Sequence, residues 1–458
     1  MIGLGRSGIA SIRLLQKMGV CFISAMEKRE DASMQSLVAQ LAEEGVEVIL
    51  GTHERTFLKG KDLIVTSPGV PWDRPPLSWA QEEGIPVIGE IELASRYCRG
   101  RILAVTGTNG KSTTVSLIHH ILQRAGMPSL LCGNIGEPFS DKTLSVRPEA
   151  PVVLEVSSFQ LLGCVSFHPS LAVILNVTPN HLDWHADFES YCLAKRRIFQ
   201  NQGPSDRLCL NLQDPILRGL EIPPQGPQRL WFGRGDGGRG VFAKGEWLVS
   251  TLQEKEEGLF RLCEIPLLGD HNVTNVSAAV LTALCEGISP EAIREGVRTF
   301  RALEHRLERV ATFQEVTFVN DSKATTVESV RQALLSFSGP ILLIAGGRDK
   351  GGDFESIRDL LSQKVRKLFL IGEARPKMER TFVGCVSMAE AEDLDTAVEK
   401  AAREARPGEV VLLSPMCASF DQFEDFEARG RAFKEAVRRV TGKEPRCVTK
   451  GVSYSSSS

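Results

Sequence analysis

The amino-acid sequence predicts an α/β protein of three domains. Three observations lead there. The chain has 458 residues, and a common domain takes about 150. Unbroken apolar runs of strand length recur along it, the form taken by strands buried on both faces of a parallel sheet. Segments with one apolar face at helical spacing lie between these runs, and that alternation marks a doubly wound sheet.

The first block, residues 1–92, is expected to be a Rossmann-like domain. It holds Gly3, Gly5 and Gly8 in G-L-G-R-S-G, a helix through Met18, and a strand at Asp62–Thr66 that ends in the turn Ser67-Pro68-Gly69. A buried first strand takes about five residues, whereas two precede this glycine turn. A start some residues upstream is therefore expected. In a nicotinamide enzyme an acidic residue follows such a turn by about 20 residues, and Glu27 has that spacing. The competing reading is a tight βα turn that binds nothing.

The second block, residues 93–299, carries buried strands at Arg101–Thr106, Pro151–Val156 and Leu171–Val177 and a helix from Lys111. Its segment 223–262, rich in Gly, Trp and alternating residues, is expected to form a small antiparallel patch. The third block, residues 300–442, alternates strands at Val316–Val319, Ile341–Ala345, Lys367–Ile371 and Val410–Leu413 with helical segments. It reads as a Rossmann-like doubly wound sheet. Residues 443–458 end in Ser453–Ser458, almost all serine, and are expected to be a disordered tail.

Composition narrows the function classes. The formal net charge of -3 gives no attraction to nucleic acid or an anionic membrane. The apolar runs are too short to span a bilayer, and no signal peptide is visible. The 11 cysteines are scattered without a C-x-x-C pair. Reduced core thiols, Cys132 and Cys285 among them, are the simplest reading. The expectation is a cytoplasmic protein.

G-T-N-G-K-S-T, Gly107–Thr113, stands between a strand and a helix, the context a phosphate loop requires. This makes the central block a P-loop-type ATP-binding domain. Backbone N–H groups of Gly107, Thr108, Asn109 and Gly110 and the helix start favour a triphosphate. Lys111 would neutralise the β- and γ-phosphates, and the Ser112 hydroxyl would face Mg²⁺. Val105 stands where the full pattern has its first glycine, and an ordinary helix cap made by Asn109 or Ser112 is the alternative. Glu155 ends the neighbouring strand and leads into S-S-F-Q-L. A carboxylate there is a natural Mg²⁺ ligand, the alternative being a glutamate at a sheet edge.

In N-V-T-P-N-H-L-D-W-H, Asn176–His185, two histidines stand four apart. Leu182 occupies the place of a zinc-protease glutamate and Pro179 opposes a helix, so that chemistry is unsupported. His181, just past a buried strand, is a site candidate. In the third block Asp321, Lys323 and Thr325, then Arg348, Asp349 and Lys350, then Ser419–Phe426 follow strand ends. Each alone is an ordinary solvated loop; three on one rim point to a ligand site. No G-x-S-x-G elbow is present, so a serine hydrolase is not indicated.

Taken together, these motifs resemble those of the Mur ligases. The resemblance also runs through G-N-I-G at Gly133–Gly136, Y-C-L-A-K at Tyr191–Lys195, G-D-H-N-V-T-N at Gly269–Asn275, E-H-R-L-E at Glu304–Glu308, N-D-S-K-A-T-T and S-P-M-C-A-S-F-D-Q-F, in the family's order. It implies an ATP-dependent amide ligase of peptidoglycan synthesis. The carboxylate of UDP-N-acetylmuramoyl-L-alanine is phosphorylated, the amine of D-glutamate attacks the acyl phosphate, and phosphate leaves. The implied cofactors are two Mg²⁺ ions, one held by Ser112 and Glu155, one by His181 and a carbamylated Lys195. The alternative for Lys195 is a solvated helix lysine pairing with Glu189 or another acid.

The resemblance further implies that Gly107–Thr113, Thr113 included, with Asn272, His305, Arg306 and Asp321, bind ATP. Gly3, Gly5, Glu27, Asn134 and His181 would meet the uridine-nucleotide substrate, Glu27 in the place of an aspartate that contacts uracil. Lys323, Thr325, Lys350, Ser419 and Phe426 would form the D-glutamate pocket, in a monomer. The physics agrees with such chemistry. Joining a carboxylate to a γ-phosphate brings two anions together, which cations must screen. The acyl phosphate must be kept from water, so a mobile third domain that closes over the site is expected. Three rivals stand beside this reading: a related ligase with another acceptor, such as a folylpolyglutamate synthase; an NAD-dependent dehydrogenase resting on the glycine turn; and a nucleotide-binding module without catalysis.

Overall fold

The computed structural model describes residues 1–51, 54–180 and 184–442. They form two compact units, Met1–Pro266 with Val273–Phe300, and Leu267–Asn272 with the chain from Arg301 onward.

The first unit begins with short parallel strands. Ser24–Glu27 pairs with Glu47–Leu50, and Ile64–Thr66 with Val87–Gly89. Ile2 bridges to both Met26 and Thr66 in the parallel sense, so the residues before the glycine turn sit between the two pairs. The helix Arg6–Lys17 follows that turn at once. A Cβ at Gly8 would collide with the Gly3 carbonyl, so only glycine lets this helix start so close to the strand end.

A nine-stranded sheet forms the rest of this unit. From one edge its strands are Leu130–Gly133, Val152–Glu155, Ile102–Thr106, Leu171–Ile174, Arg207–Asn211, Gln228–Arg234, Gly240–Lys244, Trp247–Ser250 and Glu257–Arg261. The first seven run parallel and the last two pairings are antiparallel. The three apolar runs expected as strands are strands. The segment 223–262 differs from expectation. It extends the main sheet, its first two pairings are parallel, and only the three-stranded meander 240–261 is antiparallel.

The core explains the apolar runs. Leu103, Ala104, Leu154 and Ala172 are all wholly buried. Truncating such a leucine to alanine costs about 2–5 kcal/mol. The early strands are fixed to the large sheet by Glu92, in the helix Glu90–Tyr97. Its buried carboxylate accepts from the backbone N–H groups of Val165, Ser166 and Phe167 at 2.9, 3.0 and 2.9 Å, and from Arg96 Nε at 2.9 Å.

The second unit is the expected doubly wound sheet. Its order is Glu308–Phe313, Val316–Asn320, Val410–Leu413, Ile341–Gly346, Val365–Ile371, Ser387–Glu390. Every pairing is parallel except the first hairpin. Its helices include Val327–Leu335, Leu394–Glu404 and Phe426–Thr441, the last capped by the Asp425 side chain. Among the described residues, no helix is long and apolar enough to cross a membrane.

Candidate active site

In the first unit the strand Ile102–Thr106 feeds a loop whose geometry depends on two glycines. Gly107 has φ +154° and Gly110 φ +87°. Gly110 caps the helix Lys111–Arg124 in the left-handed region, and a Cβ there would strike the Asn275 side chain. Backbone N–H groups at a helix start such as this one suit an anion.

The following strand braces the loop. Asn176 Oδ1 accepts from the Asn109 N–H at 2.8 Å, its Nδ2 donates to the Asn109 carbonyl at 3.1 Å, and its carbonyl accepts from the Thr108 N–H at 2.9 Å. Thr108 Oγ1 lies 3.0 Å from the Tyr191 hydroxyl. Asn176 and Tyr191 stand in the motifs quoted above, but no role was read for them.

Two lysines converge on one carbonyl. Lys111 Nζ donates to the Gly107 and Thr108 carbonyls at 2.9 and 3.0 Å. Lys195 Nζ, from the helix Phe188–Arg196, donates to the same Gly107 oxygen at 2.9 Å. Its side chain is buried, with the nitrogen 4.5 Å from the Tyr191 ring centroid. Burial, and then the charge of Lys111, hold the Lys195 amine well below the usual lysine range. A solvated surface lysine is thereby ruled out.

Glu155 ends the strand beside this loop, paired in register with Val105. Its Oε1 accepts from Asn134 Nδ2 at 2.9 Å, and its carbonyl accepts from the Asn134 N–H at 2.9 Å. Its Oε2 is buried and has no hydrogen-bond partner among the described residues. A buried carboxylate oxygen left without a donor is costly and suits a hard divalent cation. Among the described residues no three His, Cys, Asp or Glu side chains cluster to hold a metal. Glu155 Oε2 could thus serve as one ligand of such a cation. His181 lies outside the described residues. His185 is buried, 3.0 Å from Ser158 Oγ and stacked on Phe159. It is a core residue.

The loop Gly133–Gly136 reaches the N-terminal glycine turn, where Arg6 donates to the Gly136 carbonyl. Gly3 lies in that turn with φ +84°, and Gly5 caps the helix that follows. Glu27 Oε2 accepts from the Leu4 N–H at 2.7 Å and its Oε1 from the Arg29 N–H at 3.1 Å. Burial pushes this carboxyl up. The two N–H groups and the Arg29 guanidinium outweigh it and hold the group below the usual carboxylate range. Glu27 thus secures the turn itself.

In the second unit the candidates gather at the C-terminal ends of the strands. The buried His305 ring lies 2.9 Å from Asn320 Nδ2, and its backbone has φ +64°. Its carbonyl accepts from the Lys323 N–H at 3.1 Å. Burial keeps this imidazole below the usual histidine range. Asp321 accepts from Ser414 Oγ at 2.8 Å and the Leu307 N–H at 3.2 Å, and burial pushes it up to about 7, against the opposing pull of these donors and of Arg306. Lys323 Nζ sits 4.8 Å from the Phe426 ring centroid. Ser419 is buried, Thr325 half-buried and Lys350 exposed. Arg348 and Asp349 are engaged by Glu373 and Lys377. Asn272 Nδ2 donates to the Leu268 carbonyl at 2.6 Å.

Comparison with known proteins agrees with this geometry. Three family models match in order: the Mur ligase MurD-like N-terminal domain at residues 1–89, the Mur ligase middle domain at 105–283, and the Mur ligase glutamate ligase domain at 305–417. The UDP-N-acetylmuramoylalanine--D-glutamate ligase of Koribacter versatilis is 43% identical over 97% of this chain and 98% of its own. The chain belongs to the Mur ligase family. The ligase of the same name from Acidobacterium capsulatum is 44% identical over 95% of each chain. Among solved structures, a pseudomurein peptide ligase type C from Methanothermus fervidus shares the fold at TM-score 0.61, 17% identity, and 96% and 99% coverage. A MurF ligase from Thermotoga maritima in complex with ADP does so at 0.59 and 16%, covering 96% of this chain and 95% of that one. The three-domain α/β architecture expected from the sequence is that of the Mur ligases.

Proposed function

We propose that this protein is an ATP-dependent ligase that adds D-glutamate to UDP-N-acetylmuramoyl-L-alanine in peptidoglycan synthesis. The observation that carries the reading is the convergence of Lys111 and the buried Lys195 on the Gly107 carbonyl, beside a buried Glu155 oxygen that lacks a partner. The names of the relatives supply the substrates.

On this reading the chain's own residues divide the work as follows. The loop Gly107–Thr113 binds the triphosphate, with Lys111 against the β- and γ-phosphates. Gly3, Gly5, Glu27, Asn134 and His181 belong to the uridine-nucleotide site, and Asn272, His305, Arg306 and Asp321 to the adenosine part of ATP. Ser112 and Glu155 would hold a Mg²⁺ ion, which would supply the positive charge that screens the substrate carboxylate from the γ-phosphate. A second such site is assigned to His181 and Lys195. The carboxylate oxygen attacks the γ-phosphorus and ADP leaves. The D-glutamate nitrogen then attacks the acyl carbon, phosphate leaves, and the nitrogen gives up its proton. Lys323, Thr325, Lys350, Ser419 and Phe426 hold the amino acid.

Lys195 serves as a carbamate on this reading. A neutral amine adds CO₂ and releases a proton, which turns a side chain that would repel a cation into a hard oxygen ligand. The depressed affinity of Lys195 for its proton supports this. The enzyme is read as a cytoplasmic monomer that binds neither nucleic acid nor membrane. The test is phosphate release across a panel of amino acids and UDP-muramoyl precursors. D-Glutamate with the L-alanyl precursor is expected to give turnover. L-Glutamate is expected to give little, because a site built on directed polar contacts strands them when the enantiomer enters. Equal rates with both, or preference for lysine, would refute the assignment.

A further inference from the structure

We propose that Arg429 is the positioning residue of the amino-acid pocket, one buried guanidinium that sets the three strand-end segments bearing its side chains. The inference rests on the reading of that rim as the acceptor pocket. Arg429 lies in the first turn of the helix Phe426–Thr441 and is 1% exposed. A buried arginine ordinarily faces a carboxylate. Here every hydrogen bond goes elsewhere. Nε donates to Ser322 Oγ at 3.0 Å; Nη2 donates to the Ser322 and Cys417 carbonyls at 2.9 and 3.1 Å; Nη1 donates to the Ala418 and Gly346 carbonyls at 3.3 and 3.5 Å. A guanidinium has five N–H donors in a rigid plane, and all five are used.

The acceptors come from three neighbouring strands of one sheet. Ser322 follows Val316–Asn320, Gly346 ends Ile341–Gly346, and Cys417 and Ala418 follow Val410–Leu413. Each segment also bears pocket residues. Lys323 and Thr325 follow Ser322, Lys350 follows Gly346, and Ser419 follows Ala418. The helix that carries Arg429 begins with Phe426, whose carbonyl accepts from Ser322 Oγ at 2.8 Å. Burial lowers the guanidinium's affinity for its proton to about 10, so it remains a cation at neutral pH. Its charge is met by carbonyl dipoles, which fix direction as well as distance. Lysine, a point charge with three donors, cannot reproduce that planar set.

The experiment compares Arg429→Lys and the milder Ser322→Ala with the parent enzyme, measuring KM for each of the three substrates, kcat and Tm. R429K is expected to raise the D-glutamate KM by ~10–100-fold, since displacing a binding group by about 1 Å has effects of that size. The KM values for ATP and the UDP-precursor should stay within about threefold. S322A, which removes one acceptor of five, is expected to raise the D-glutamate KM alone by ~3-fold. In Arg429→Ala, added methylguanidinium should restore acceptor affinity and methylammonium should not. A D-glutamate KM unmoved in R429K, or three KM values rising together with a fallen Tm, overturns the proposal while the functional reading stands. A parent enzyme without D-glutamate turnover overturns that reading and this inference with it.

Discussion

Replacing Lys195 by alanine tests the most unusual feature of the site. The Lys111 and Lys195 nitrogens each lie 2.9 Å from the Gly107 oxygen. Their separation therefore does not exceed about 6 Å. At an effective dielectric of ~20, two unit charges at that distance repel by about 3 kcal/mol. Burial, and then this repulsion from Lys111, hold the Lys195 amine well below the usual lysine range, which favours its neutral form. On the proposed reading the neutral amine would add CO₂ and release a proton, and the anion so formed would remove the repulsion and could serve a cation as an oxygen ligand. Lys195→Ala should lower phosphate release at least ~100-fold, the scale of removing a group that stabilises developing charge. Acetate at high concentration should restore part of that loss, because a free carboxylate can enter the space left. Isotopically labelled bicarbonate should give a carbamate carbon signal by NMR in the parent enzyme that is absent from the variant. An alanine variant with full activity and no added acid would refute the argument, and so would a parent enzyme without the signal.

Three other substitutions have clear expectations. Lys111→Ala should reduce ATP-dependent turnover by ~10³-fold at saturating substrates in a phosphate-release assay, since the loop loses its point charge. Glu155→Gln should raise the Mg²⁺ concentration for half-maximal activity by ~10-fold or more, read from a magnesium titration, because a neutral amide is a weak ligand for a hard cation. Glu90, buried with its Oε1 accepting from the Ser140 N–H at 2.6 Å, is pushed up to about 7 by burial, against the pull of Ser140. Between about pH 4.5 and 7 the native state keeps a proton that the unfolded chain has released, so stability falls as pH rises through that window, by on the order of 3 kcal/mol. Glu90→Gln should flatten that fall in denaturant titrations across the same range.

The parallel core was legible because strands buried on both faces must be apolar throughout. Val152–Glu155, Leu171–Ile174 and Val410–Leu413 appear where their runs lie. The segment 223–262 was misread for an equally physical reason. Gln228–Arg234 and Gly240–Lys244 are joined by five residues yet run parallel, and so short a link ordinarily signals a hairpin. The strand–loop–helix context of Gly107–Thr113 and the strand-end place of Glu155 were legible because a buried apolar run that meets a glycine-bearing helix start marks itself in residue type and spacing. Arg429 was not, because a lone arginine on an amphipathic helix carries no sign of the five acceptors that distant segments bring to it. Glu27 has a ligand-binding spacing, and its carboxylate also accepts from the Leu4 N–H of the glycine turn, a contact that spacing alone does not announce.

The central claim is a defined bond formed at the expense of ATP. Incubation with ATP, Mg²⁺, UDP-N-acetylmuramoyl-L-alanine and D-glutamate, followed by mass spectrometry of the nucleotide product and phosphate assay of the same sample, tests it most directly. The expected product is heavier by one glutamate residue, with one phosphate released per product and none when either substrate is left out. Phosphate release without that product, or the same yield from L-glutamate, would contradict it.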